Sequence, residues 1–249
     1  MSTWIAAKVA WQKAWAPGLV SLRLNVPLQF KPGQFTNLAL GQDGERERRA
    51  YSMASAPGEP AEFYVNEVSQ GGLSPQLIQL REGDTIWLDT KPSGFFTLDE
   101  LPPGNDLWLL CTGTGLAPFL SMLRSGEAQR LFPRIVLVHG VREQADLGHR
   151  IELEQRAQGV SSLRFVPVLS RQTAVPGGLA GRIPALLATG ELERCAGITL
   201  DPTRSRVLLC GNPQMIVDTR AALEERDLKL HRRRVPGQIL TENYWTLLP

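Results

Sequence analysis

The chain has 249 residues, 43% hydrophobic and 21% charged, an ordinary globular makeup long enough for one large or two modest cores. Its formal net charge of +2 is too small to argue for nucleic acid or an anionic membrane surface, so a charged partner must read a local patch. Three cysteines without a Cys-x-x-Cys pair and three scattered histidines argue against a disulfide framework, a metal site and an iron–sulfur cluster. No apolar run approaches a transmembrane length, and the first eight residues lack a signal-peptide layout, so the expected compartment is the cytoplasm.

The first hundred residues read as strands. Val20, Leu22, Leu24 and Val26 alternate with Ser21, Arg23 and Asn25, the period of a half-buried strand. Further strands are expected at 5–11, 35–40, 50–55, 63–68 and 85–88. Turn chemistry separates them at Pro32-Gly33, Asp43-Gly44, Pro57-Gly58 and Glu82-Gly83-Asp84. One short helix is predicted over 74–80, with Leu73, Leu77 and Leu80 at helical spacing. Many short antiparallel strands with regular turns suggest a small closed barrel over residues 1–100.

Leu101-Pro102-Pro103-Gly104 marks a boundary, and from 104 to 249 the pattern changes. Solid apolar runs at 107–111, 135–138, 165–169 and 207–210 are each followed by glycine-bearing or polar loops and then by helical patterns. Buried parallel strands with crossover helices read this way, predicting an open α/β sheet with nucleotides at the carboxyl ends of its strands.

Several short stretches carry chemistry. Arg49-Ala50-Tyr51-Ser52 offers a guanidinium that can fork onto a pyrophosphate, a flat phenol ring for stacking on an isoalloxazine, and a hydroxyl that can both donate and accept beside a flavin nitrogen. Gly71-Gly72-Leu73-Ser74-Pro75 lies where a loop enters the predicted helix. The glycines allow close phosphate approach, Ser74 suits an N-cap and Pro75 the first helical position. Together with Arg49 this loop forms two jaws of a pyrophosphate clamp. Thr112-Gly113-Thr114-Gly115 follows the first buried strand directly and precedes a helix at 117–123, the right context for a phosphate loop. Arg142 closes the second strand of this half, Ser170-Arg171 the third, and Arg182 follows in a short loop. No acidic residue stands at the third strand's exit, and arginines there favour NADP over NAD. Cys111 and Cys210 both end buried strands, where free cysteine ordinarily serves as a small hydrophobe.

These stretches, with Cys210-Gly211-Asn212-Pro213 and the aromatic tail Tyr244-Trp245, resemble in order and type the bacterial ferredoxin (flavodoxin)–NADP+ reductases, from about Trp4 to Trp245. The resemblance implies an FAD-binding barrel over 1–100 and an NADP-binding α/β domain over 104–249 whose tail returns to the flavin. It implies that Arg49, Gly71, Gly72, Leu73 and Ser74 hold the FAD diphosphate, while Ala50, Tyr51 and Ser52 meet the flavin. A strand of Tyr64, Val65, Asn66, Glu67 and Val68 runs along the ribityl and ring. Thr112, Gly113, Thr114, Gly115, Arg142, Ser170, Arg171, Arg182 and Asn212 take the pyridine nucleotide. Cys210 faces the nicotinamide, Ser52 and Glu242 share proton delivery, and Tyr244 or Trp245 covers a cofactor ring. This chain departs from the family pattern by continuing with Thr246-Leu247-Leu248-Pro249.

The expected activity is electron transfer from NADPH through FAD to ferredoxin or flavodoxin. A reductase on the same fold serving an oxygenase, free flavin or ferric chelates stays open, as does a flavin-binding redox sensor. Lys229, His231, Arg232, Arg233 and Arg234 form a basic run that is either a solvated face or a docking patch for an acidic carrier.

Overall fold

A computed structural model describes residues 3–41 and 47–243, so the predicted Asp43-Gly44 turn lies outside the described residues. The chain divides into two compact units: Met1–Thr97 with Ala117–Ser125, and Leu98–Leu116 with Gly126–Pro249.

The first unit contains β1 (Trp4–Ala16), β2 (Leu19–Pro27), β3 (Phe35–Leu40), β4 (Glu47–Ser52), β5 (Pro60–Asn66) and β6 (Thr85–Asp89). They form an antiparallel sheet in the order β4-β3-β6-β1-β2-β5. The two edges meet just beyond β4, where Met53 bridges Phe63 and the Ala54 N–H donates to the Glu62 carbonyl at 2.7 Å. The barrel therefore closes. β1 pairs with both β2 and β6, and register shifts at Val9/Trp11 and Ala14/Ala16 accompany its bend. Inward positions at period two, among them Leu22, Leu24, Leu38, Phe63, Ile86 and Leu88, make a fully buried core.

Two expectations for this unit need correction. β5 stops at Asn66, so Glu67 and Val68 lie in a loop and not in a strand. The ladder ends where the Glu67 N–H meets the Gly18 carbonyl at 2.7 Å, and beyond it the backbone bonds locally. The predicted seven-residue helix is the four-residue α1 (Ser74–Leu77), and Ser74 is not its cap. Its hydroxyl instead accepts the Val68 N–H at 2.9 Å, tying the loop's two ends together.

α2 (Ala117–Arg124) also belongs to this unit. The buried Glu62 carboxylate takes Arg124 at 3.0 Å and Arg23 at 2.7 Å, while Arg124 also donates to the Ala54 carbonyl at 2.8 Å. A buried carboxylate is tolerable only with such charge-assisted partners, which pin the helix to the barrel.

The second unit contains β7 (Asp106–Thr112), β8 (Arg134–Val141), β9 (Leu163–Leu169), β10 (Leu179–Ala180), β11 (Ser205–Gly211) and β12 (Ile239–Asn243). Its helices are α3 (Glu127–Leu131), α4 (Arg150–Gly159), α5 (Ile183–Ala188), α6 (Glu191–Ala196) and α7 (Pro213–Glu224). All six strands are parallel, in the order β10-β9-β8-β7-β11-β12. β7, β8 and β11 are buried at nearly every residue, as strands covered on both faces must be. The chain leaves β7 toward β8 and β9, then returns to lay β11 on β7's other side, so the sheet order reverses between β7 and β11. Such a reversal opens a crevice beyond the strand ends. Among the described residues no helix is long and apolar enough to cross a membrane.

Candidate functional site

Glu47, Arg49 and Tyr51 alternate along β4 and so share one face. The Arg49 guanidinium pairs with the Glu47 carboxylate at 3.0 Å and donates to the Arg48 carbonyl at 2.8 Å. A Cβ on Gly72 would collide with that same carboxylate. One anionic group thus sits between Arg49 and the backbone at Gly72, in the space a side chain there would take. Tyr51, half-buried against the barrel core, has its phenol pushed up to about 12 by burial, with Arg49 opposing and Glu47 adding. It stays protonated at any ordinary pH. Ser52 is buried and ends β4; Ala50 is exposed. Tyr64 and Val65 are buried in β5, while Asn66, Glu67 and Val68 are exposed. Gly71 and Leu73 complete the loop, its turn held by the Gly71 N–H on the Val68 carbonyl at 2.7 Å.

At the reversal of the parallel sheet, Thr112 ends β7 and Gly113–Leu116 forms a single 3-10 turn. The Thr112 hydroxyl accepts the Asn212 N–H at 2.8 Å, and the Asn212 side chain accepts the N–H groups of Gln214 and Met215 at 2.9 and 3.2 Å, capping α7. The ends of β7 and β11 lie so close that a Cβ on Gly211, whose φ is +128°, would strike the Thr112 backbone. Among the described residues nothing stands within 4 Å of where a Cβ on Gly113 would be, so none of them covers this loop's face.

His139, fully buried on β8, places Nε2 3.0 Å from the Gly113 carbonyl. A carbonyl only accepts, so Nε2 carries the proton. Nδ1 has no partner among the described residues. Burial pushes the imidazole down to about 4, against the Gly113 hydrogen bond, so it is neutral near pH 7.

Arg142 and Arg171 stand just past β8 and β9, where the Arg171 N–H donates to the Arg142 carbonyl at 3.0 Å and extends the ladder. Ser170 lies between them and bonds the Val141 carbonyl from its backbone N–H at 3.0 Å and from its hydroxyl at 3.3 Å. Arg182 precedes α5 directly. All three arginines are exposed, and none of their guanidinium groups has a carboxylate partner among the described residues.

Register aligns four groups near the strand ends, Cys111, Cys210 and Glu242 one step below and His139 two: His139 beside Cys111, Cys111 beside Cys210, and Cys210 beside Glu242. Both cysteines are fully buried; burial, then the neighbouring Cys210, raises the Cys111 thiol well above its usual range. Glu242 is half-buried on β12, an edge strand that sequence periodicity does not reveal. Tyr244 and Trp245 lie outside the described residues, as do positions 246–249. In the basic run, Lys229, Arg232, Arg233 and Arg234 are exposed, and Arg233 pairs with Glu100 at 3.5 Å. Sequence reading passes over Glu47 and His139. The signal for Glu47 is its spacing, two residues before Arg49 on one strand face; nothing in the sequence marks His139.

The oxidoreductase NAD-binding domain family matches residues 109–221. The flavodoxin/ferredoxin–NADP reductase of Escherichia coli is 45% identical over 98% of this chain and the whole of that relative. The ferredoxin–NADP reductase of Pseudomonas aeruginosa is 36% identical over 88% of each chain. Among solved structures, a ferredoxin NADP+ reductase from Neisseria gonorrhoeae with bound FAD and NADP superposes with a TM-score of 0.93 at 36% identity, covering 98% of this chain and 100% of that one.

Proposed function

Because the chain belongs to the flavodoxin/ferredoxin–NADP reductase family, we propose that it is an FAD-dependent oxidoreductase carrying electrons between NADPH and ferredoxin or flavodoxin. The single observation that supports assigning both cofactors is that each unit presents its own cationic set: Arg49 facing Gly72 in the barrel, and three arginines at the sheet's strand ends without carboxylate partners among the described residues. The Glu47 carboxylate resting between Arg49 and Gly72 supports this reading, since the residues there suit an anionic group. The open backbone above Gly113 fits a nucleotide in the same way.

When bound, the flavin supplies the conversion between two-electron and one-electron chemistry. The chain's part is to bind and orient. Arg49 takes the diphosphate, with Gly71, Gly72, Leu73 and Ser74 shaping the opposing loop. Tyr51 stacks as a neutral phenol, Ala50 keeps the strand's outer face low, and the Ser52 hydroxyl holds a proton at the flavin's reactive edge. Tyr64, Val65 and Asn66 line the strand beside it. In the sheet, Thr112, Gly113, Thr114, Gly115 and Asn212 receive the nicotinamide half. Ser170, Arg171 and Arg182, with Arg142, grip the 2′-phosphate, which arginine's fork suits. Cys210 and Glu242 supply the polar groups beneath the nicotinamide position. Lys229, Arg232, Arg233 and Arg234 steer the acidic carrier, and the cytoplasm is the compartment that fits such a carrier.

Extraction of the flavin from the purified protein, followed by steady-state oxidation of NADPH and NADH, tests this. FAD is expected, with NADPH preferred, and with ferredoxin or flavodoxin reduced faster than free flavin. Extracted FMN, or free flavin as the best acceptor, would overturn the reading.

A further inference from the structure

We propose that Glu47 is an internal counter-anion that fills the barrel's diphosphate cradle until the flavin nucleotide displaces it, so that this side chain tunes how tightly the protein holds FAD. The inference rests on the assignment of Arg49 and the Gly71-Gly72 loop to the diphosphate. Two separate contacts carry it. On one side the Glu47 carboxylate pairs with Arg49 at 3.0 Å. On the other it occupies the space a side chain at Gly72 would need. An anion bound by both jaws would have to stand in the same volume, and it would carry the same sign of charge. Two like charges at contact repel, so the carboxylate and a diphosphate do not share the cradle.

The geometry also says how the cradle opens. Glu47 and Arg49 are two residues apart on one strand, so their backbone separation is set by β4 and only the side chains need to swing. The pair is partly exposed, at 32% for Glu47 and 62% for Arg49, which makes it a weak latch. Once displaced, the carboxylate turns to water and leaves Arg49 to the ligand. A glutamine at 47 keeps the size and the hydrogen-bonding oxygen but loses the charge that competes. An aspartate keeps the charge but is one methylene shorter, so it cannot reach Arg49 and Gly72 together.

The experiment is dilution of the holoprotein, with recovery of free flavin fluorescence giving the FAD dissociation constant, for the wild type and for Glu47→Gln, Glu47→Asp and Arg49→Ala. Thermal melting of each variant reports that the barrel is folded. Glu47→Gln is expected to bind FAD roughly 1.5- to fivefold more tightly, the size of an exposed ion pair removed as competitor. Glu47→Asp should also bind more tightly than wild type, and Arg49→Ala more weakly. If Glu47→Gln leaves FAD affinity unchanged or weaker while Arg49→Ala weakens it, Glu47 merely props Arg49 and the proposal fails while the diphosphate assignment stands. If Glu47→Asp matches the wild type while Glu47→Gln binds more tightly, charge acts at a distance and occupation of the cradle is excluded. If Arg49→Ala leaves FAD affinity unchanged, the diphosphate assignment itself falls, and the proposal with it.

Discussion

The barrel and the parallel sheet present their arginines in opposite arrangements of charge. In the barrel, Arg49 already has an anionic partner, Glu47, whose carboxylate lies against Gly72. In the sheet, Arg142, Arg171 and Arg182 point into solvent with no carboxylate partner among the described residues. A free surface guanidinium is well solvated and costs the fold little, so it can wait for a nucleotide that comes and goes. A paired guanidinium must first be released, which suits a site loaded once and held. The two also differ in backing: charge organises the barrel's cradle, while a neutral buried imidazole, His139, supports the sheet's loop.

The largest expected effect tests the sheet's rigid side. Gly211→Ala puts a Cβ at φ +128° into the Thr112 backbone, which cannot yield without opening the β7–β11 pairing. A loss of at least ~3 kcal/mol is expected, read as a fall of roughly 6–12 °C in melting temperature, together with loss of NADP+ binding. Retained stability would mean the strand ends are less closely packed than the glycine implies.

Arg182→Ala removes an exposed guanidinium that has no carboxylate partner among the described residues. It should raise the Michaelis constant for NADPH roughly 10- to 100-fold, from about 1.5–3 kcal/mol for a charge-assisted hydrogen bond, and leave that for NADH nearly unchanged. Equal losses for both cofactors would place Arg182 in a structural role.

A pH series separates the two kinds of backing. His139 has its folded value lowered to about 4, so between 6.5 and 4 the unfolded chain binds more protons than the folded one. Stability contributed by the neutral imidazole is therefore complete above 6.5 and falls as pH drops toward 4. Between pH 7 and pH 5 the loss should be about 2 kcal/mol in denaturant unfolding. His139→Gln, whose amide nitrogen falls at about the Nε2 position and can still donate to Gly113 without titrating, should flatten that slope. An unchanged slope would assign the acid sensitivity to other groups.

Smaller still is the effect of Arg232 and Arg234, which have no carboxylate partner among the described residues, unlike Arg233 with Glu100. Reversing both charges should slow carrier reduction by roughly two- to fivefold at low salt, the difference fading as the Debye length shrinks from about 10 Å at 0.1 M. An unchanged salt dependence would leave the run as a solvated face.

The smallest stability change is expected at Gly72→Ala. The added Cβ meets only the end of a flexible, half-exposed side chain, which can swing away. Melting should shift by less than about 0.5 kcal/mol while FAD binds more weakly. A large loss of stability would mean that Glu47 is fixed and not a movable latch.

Much of the fold was legible because it is written in local periods. Val20, Leu22, Leu24 and Val26 alternate as a barrel strand must, and the solid runs ending at Cys111 and Cys210 mark strands covered on both faces. Arg49, Gly72, Thr112 and Arg182 were legible as residue types suited to phosphate, since their chemistry does not depend on who their neighbours are. The extent of β5, the four-residue α1 and the presence of β12 were decided by particular pairings that local period does not carry. The Glu67 N–H finds Gly18, the Ser74 hydroxyl finds Val68, and Ile239–Asn243 finds the open edge of β11. So were the partners that set the electrostatics. Tertiary folding alone brings the Glu47 carboxylate against Gly72, buries His139 under Gly113 and aligns Cys111, Cys210 and Glu242 in one register. Period and side-chain chemistry are properties of a segment, whereas the energy of a charge or a buried imidazole depends on what surrounds it, and only the folded chain supplies those surroundings.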